Sequence, residues 1–139
     1  MASFPLRLIA PHGVIFEGQV EQVTATSPVG EFGVLAQHVD FLTALTACPL
    51  ILKLAGAGYR YYVVPSGLAE VKDGKMTILV PQATPAQEIE LEQADTEMKE
   101  LREKLESLAI GSEQYAEVER AFALAQARWR AAQLTAPRA

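Results

Sequence analysis

Pro81-Gln82-Ala83-Thr84-Pro85 is where the 139-residue chain changes its periodicity. Upstream, short β-branched or aromatic runs are separated by Gly, Pro and Asp, whereas downstream the apolar residues recur at every third or fourth position. The two prolines end a strand. Thr84-Pro85-Ala86-Gln87 has the form of a capping box with proline at the first helical position, so a helix is expected to begin there. The chain therefore reads as a β + α protein: an N-terminal antiparallel β-sandwich head over residues 1–83, then a C-terminal antiparallel two-helix hairpin over residues 84–139.

Working back from this boundary, nine strands are expected: Pro5–Ala10, Val14–Glu17, Val20–Ser27, Glu31–Leu35, Phe41–Leu45, Pro49–Leu54, Tyr59–Val64, Leu68–Lys72 and Lys75–Val80. The strongest local signal is Val71-Lys72-Asp73-Gly74-Lys75-Met76, because Asp-Gly suits the positive φ angles of a two-residue type I′ hairpin. Gly56-Ala57-Gly58 and Pro65-Ser66-Gly67 mark further turns. Working forward, Leu91, Ala94, Met98, Leu101, Leu105 and Leu108 step by three and four and form one helical stripe. Ile110-Gly111-Ser112 ends that helix and caps the next, with Gly111 in the left-handed region and Ser112 as N-cap. Tyr115, Val118, Phe122, Ala125, Trp129 and Ala132 repeat the pattern, so the two stripes meet as a seam between arms about 35 Å long. The seam alone does not offset the entropy of ordering some 45 residues, so the hairpin is expected to rely on docking to the head or to a partner. A small energy gap between two dockings is what a switch element needs.

Composition excludes several function classes. A formal net charge of −5 gives no basic footprint for nucleic acid. No apolar run approaches the ~20 residues that span a bilayer, and no leader or transit pattern opens the chain, which favours a bacterial cytoplasm over an organelle and argues against membrane insertion. Cys48 is the single cysteine, read as a small buried hydrophobe, and no intrachain disulfide or cysteine-based zinc site is available. His12 and His38 are the only histidines. No metal-ligand spacing, nucleophile and base, or phosphate cradle is legible, so neither catalytic nor metal residues are expected. Glu88, Glu90 and Glu92 project in different directions and suit the positive end of a helix. A free-standing hydrolase would need a nucleophile and base; a free-standing adaptor with a coiled-coil tail stays open on the residues alone.

One stretch mixes polar and apolar groups as a contact surface does: Gly30-Glu31-Phe32-Gly33-Val34-Leu35, His38 and Asp40, then Leu42-Thr43-Ala44-Leu45. It closely resembles the G-E-F-G-V-L-P-G-H-x-P-L-L-T-A-L signature of epsilon subunits of F-type ATP synthases, with Ala36-Gln37 standing for Pro-Gly and Val39-Asp40 for x-Pro. The resemblance extends over the whole chain and includes the Tyr115-Ala116 start of the second helix. It implies a non-catalytic central-stalk rotor subunit of a proton-translocating ATP synthase, peripheral at the cytoplasmic face of the bacterial inner membrane. The implied partners are the gamma subunit, the c-ring and, when the hairpin extends, the catalytic alpha/beta head. Glu31, His38 and Asp40 are the implied c-ring interface, and the hairpin is the implied regulator of ATP hydrolysis. In some family members the hairpin binds ATP through I/L-D-x-x-R-A and two arginines. Here Ile89-Glu90-Leu91-Glu92-Gln93-Ala94 lacks the Asp and Arg, and the arginine pair corresponds to Leu124 and Arg128. At most Glu90 and Arg128 remain, so no cofactor and weak or no ATP binding are expected.

Overall fold

The computed structural model describes residues 2–56 and 58–135. Nine strands precede two helices: β1 (Phe4–Ala10), β2 (Gly13–Ser27), β3 (Gly30–Leu35), β4 (Phe41–Leu45), β5 (Cys48–Leu54), β6 (Tyr59–Val64), β7 (Gly67–Lys72), β8 (Lys75–Leu79), β9 (Thr84–Pro85), α1 (Leu91–Glu106) and α2 (Glu113–Thr135). All pairings are antiparallel except β1 with β8. One layer of the sandwich is ordered β4-β7-β8-β1 and ends on the first half of β2; the other contains β3, the second half of β2, β5, β6 and β9. Between them Leu6, Leu8, Val20, Val23, Leu50, Leu52 and Ile78 are fully buried, the inward half of each strand's two-residue alternation.

β2 joins two strands that the sequence reading separates, Val14–Glu17 and Val20–Ser27. The pairing with β1 carries the chain through the expected break, because Pro5 faces Gln19 and Leu6 faces Gly18. At Gly18 a Cβ would come 3.3 Å from the Phe16 ring, a tight approach that a shift of a few tenths of an ångström in the ring relieves. The register of β2 against β5 slips between Val20 and Gln22, a bulge-type irregularity that lets one strand pass from one layer to the other.

The expected type I′ hairpin forms, with φ of 52° at Asp73 and 76° at Gly74 and Lys72 paired with Lys75. At the Pro65-Ser66-Gly67 turn, a Cβ on Gly67 would lie 2.8 Å from the Leu79 carbonyl, so close backbone approach demands glycine. The Gly56-Ala57-Gly58 turn falls partly outside the described residues, since Ala57 is not among them; Gly56 and Gly58 both have positive φ.

The helix expected from Thr84 begins instead at Leu91. Thr84 and Pro85 pair with Val63 and Tyr62 as β9, Ala86–Glu88 forms one 3₁₀ turn, and Glu90 precedes α1 without a side-chain cap. Pro85 is extended (φ −58°, ψ 131°), so pairing with β6 displaces the local capping signal and the sheet runs two residues past the boundary expected at 83/84. α1 is consequently about 24 Å long rather than the expected 35 Å, whereas α2 reaches about 35 Å. Leu108 lies beyond the end of α1. At the reversal Gly111 has φ of 91°, and the Tyr115 N–H donates to Ser112 Oγ at 3.1 Å.

Candidate interaction surfaces

The hairpin lies against the outer side of β5 and β6. Val63, Ala86, Ile89, Ala94, Ala127, Ala131 and Ala132 form a small buried cluster there, with Tyr61, Leu91, Leu124 and Trp129 partly buried around it. Of the residues expected in the seam, Ala94, Met98 and Ala125 are buried; Leu91, Leu101, Leu105, Leu108, Val118, Phe122 and Trp129 are half-buried. α2 thus has two apolar faces. The second, through Ala127 and Ala131, meets the head and escaped the sequence reading because alanine is equally at home on an exposed helix. Each buried methyl contributes only about 0.8 kcal/mol, so an alanine interface holds the hairpin less firmly than a leucine interface of the same extent.

The signature stretch is divided by the fold. Glu31 follows the β2–β3 turn at Ser27–Gly30, whose Val29 is 97% exposed. His38 and Asp40 follow the other end of β3, at least ~13 Å further along. The implied c-ring trio of Glu31, His38 and Asp40 therefore does not form one patch, because a six-residue strand separates the carboxylate from the loop. In that loop the His38 N–H donates to the Leu35 carbonyl at 3.2 Å and Gln37 takes φ of 65°, the pattern of a type II turn. The His38 ring sits 4.9 Å from Phe41, its Nδ1–H donating to the Val39 carbonyl at 2.7 Å. Asp40 Oδ1 accepts the Asp73 N–H at 3.0 Å, tying the loop to the β7–β8 turn. Glu31 instead faces the hairpin, with its Oε2 3.6 Å from Arg130 Nη2.

The outer face of the first layer carries no helix. Register places Ala44, Leu68, Leu79, Ile9 and Val14 opposite one another in succession across β4, β7, β8, β1 and β2. Leu68, Leu79 and Val14 are 41%, 47% and 50% exposed. The neighbouring row is Leu42, Glu70, Thr77, Arg7 and Glu17, with Arg7 and Glu17 in an ion pair of 2.7 Å. An apolar stripe about 19 Å wide, bordered by charges, has the anatomy of a protein contact surface. Sequence reading missed it because its members come from five strands and meet only through register.

No group of His, Cys, Asp or Glu suited to a metal ion exists among the described residues. No helix among them is long and apolar enough to cross a membrane. Cys48 is buried, and that burial pushes its thiol pKa up, against the lowering effect of hydrogen bonding to Thr26. Of the degenerate nucleotide motif, Glu90 is exposed before α1. Arg128 is half-buried on α2, with its Nε out of solvent and no hydrogen-bond partner among the described residues.

Comparison with known proteins bears on this arrangement. Residues 3–86 match the family described as ATP synthase, Delta/Epsilon chain, beta-sandwich domain. The ATP synthase epsilon chain of Geobacter metallireducens is 35% identical over 125 residues, covering 90% of this chain and 90% of the relative. The chloroplastic ATP synthase epsilon chain of Mesostigma viride is 30% identical over 131 residues, or 94% of this chain and 98% of the relative. Among solved structures, a chain of the Euglena gracilis mitochondrial ATP synthase (OSCP/F1/c-ring) superposes with a TM-score of 0.81 at 28% identity, covering 96% of this chain and 82% of that one. A chain of the Tetrahymena thermophila central stalk/c-ring structure matches in fold, with a TM-score of 0.63 at 16% identity over 92% of this chain and 95% of that one.

Proposed function

This chain belongs to the ATP synthase delta/epsilon family, and from that premise we propose that its head couples c-ring rotation to the catalytic head through gamma while its hairpin regulates ATP hydrolysis. As an epsilon-type member it is a non-catalytic subunit of the complex. The observation that carries the reading is the five-strand apolar row from Ala44 to Val14 on the uncovered sheet face. A subunit that turns with a shaft needs a broad, rigid contact, and a sheet face supplies one without ordering any loop. Gamma is the occupant of that face in this reading. The Ser27–Gly30 turn, with exposed Val29 and the adjoining Glu31, meets the c-ring; His38 and Asp40 shape the opposite loop. The subunit is peripheral in the complex, at the cytoplasmic face of the bacterial inner membrane, and it works in proton-driven rotation.

The hairpin's docking on alanines supports its regulatory role, because a weakly held arm can leave the head and reach the alpha/beta head. With only Glu90 and Arg128 left of the nucleotide motif, the arm moves without ATP as its ligand; tight binding of ATP to the isolated chain in calorimetry counts against this. The gamma contact is tested by Leu68→Asp with Leu79→Asp. Both side chains already face water, so the head keeps its circular dichroism and melting behaviour. Binding to a gamma-containing subcomplex weakens at least tenfold, since burying a carboxylate in place of each leucine costs well over 1.4 kcal/mol. Unchanged affinity would overturn the assignment of this face.

A further inference from the structure

We propose that Glu31 is contested between two partners: the docked hairpin holds it through Arg130, and engagement of the c-ring by the same carboxylate releases Arg130 and loosens the hairpin. The inference rests on the ring-facing role given above to the Ser27–Gly30 turn and Glu31.

Among the described residues, Arg130–Glu31 is the one ion pair that joins head to hairpin; the other three lie within the head or within α1. No hydrogen bond among the described residues joins the head to α1 or α2 either. The remaining contact is made mainly by alanines, with Val63 and Ile89, and such packing fixes proximity better than it fixes register. Among the described residues, the only charge–charge contact between head and hairpin thus sits on a residue at the edge of the proposed ring-facing turn. Its side chains are 50% and 60% exposed, and the groove beside it, about 250 Å³, is lined by Pro49, Ile51, Gln133 and Leu134. A cationic side chain from outside can therefore reach Glu31 without unfolding anything. The pair is a single oxygen-to-nitrogen approach of 3.6 Å, too long for a hydrogen bond, so a ring cation that hydrogen-bonds the carboxylate draws it away from Arg130. Ring binding and hairpin docking are then linked with opposite sign, and each weakens the other by the same factor.

Amide hydrogen exchange of residues 124–132 in the full chain reads the first half of the proposal. Glu31→Gln and Arg130→Gln each speed exchange about two- to fivefold, the range expected of an exposed pair. The double variant is no faster than either single variant, the charge swap E31R/R130E returns protection towards the wild-type level, and 0.5 M salt removes the differences. Singles that match wild type, or effects that add in the double variant, overturn the pairing. The second half is read on the chain assembled with a gamma–c-ring subcomplex. There wild-type exchange rises to the Arg130→Gln level, and Arg130→Gln itself changes no further. If Glu31→Gln assembles as tightly as wild type, the ring role of Glu31 falls although the pairing stands; if assembly weakens but the singles leave exchange unchanged, the competition falls and the ring role stands.

Discussion

Gln37 shows how a single position records a departure from the family pattern. The turn Leu35-Ala36-Gln37-His38 keeps its closing hydrogen bond of 3.2 Å, yet Gln37 must hold φ of 65°. An L-residue with a Cβ costs about 1–2 kcal/mol there, which glycine avoids, less the extra entropy glycine loses on folding. Gln37→Gly is therefore expected to raise stability by about 0.5–1 kcal/mol, seen as an increase of a few degrees in Tm; a lower Tm would show that the glutamine side chain has a compensating contact. The residue scale was also where the sequence was most legible. Asp73-Gly74 and Gly111-Ser112 adopt the conformations expected of them because each turn's chemistry is local. Thr84-Pro85-Ala86-Gln87 carried an equally clear local signal and failed, since backbone pairing with Tyr62 and Val63, some twenty residues away, outweighs one cap.

At the scale of elements, α2 serves two neighbours with two stripes. The stripe expected in the seam was visible because Val118, Phe122 and Trp129 are large; the stripe through Ala127 and Ala131 that meets the head was not, because these residues are small and helix-favouring. Small residues at a buried contact are constraints on volume. Ala131 is fully buried, so Ala131→Leu inserts three carbons where no space exists and is expected to cost about 1–3 kcal/mol. The cost falls on docking: exchange in α2 accelerates while the protection of β5 and β2 is retained. Equal loosening of the β-strands would instead make head and hairpin one cooperative unit. The apolar row from Ala44 to Val14 illustrates the opposite limit of legibility. Each member was placed in or beside an expected strand, but adjacency across five strands is a property of register, which no single run of sequence specifies.

For the whole molecule, the position of β9 decides where the arm can be removed. A chain ending at residue 85 keeps the pairing with β6, whereas one ending at residue 81 loses it and is expected to be about 1–2 kcal/mol less stable, as comparison of the two melting curves would reveal. In the assembled complex, the chain ending at residue 85 is expected to release ATP hydrolysis from restraint while ATP synthesis stays coupled to proton flow. Hydrolysis no faster than with the full chain would remove the regulatory role from the hairpin. The division into a sandwich and a helical hairpin was legible from the change of periodicity alone; the make-up of each face of the head was not, because that depends on strand register and on how the layers stack.

β2 gives the head a mechanical property of its own. A sandwich whose layers were built from separate strands could answer a sideways load by sliding one packed sheet over the other. Here about 50 Å of continuous backbone runs from the uncovered sheet to the arm-bearing one, and sliding would have to bend or stretch a polypeptide that is hydrogen-bonded along both halves. A twisting force received at the turns of one layer therefore reaches the other as displacement of a single strut, with little lost to slippage within the head.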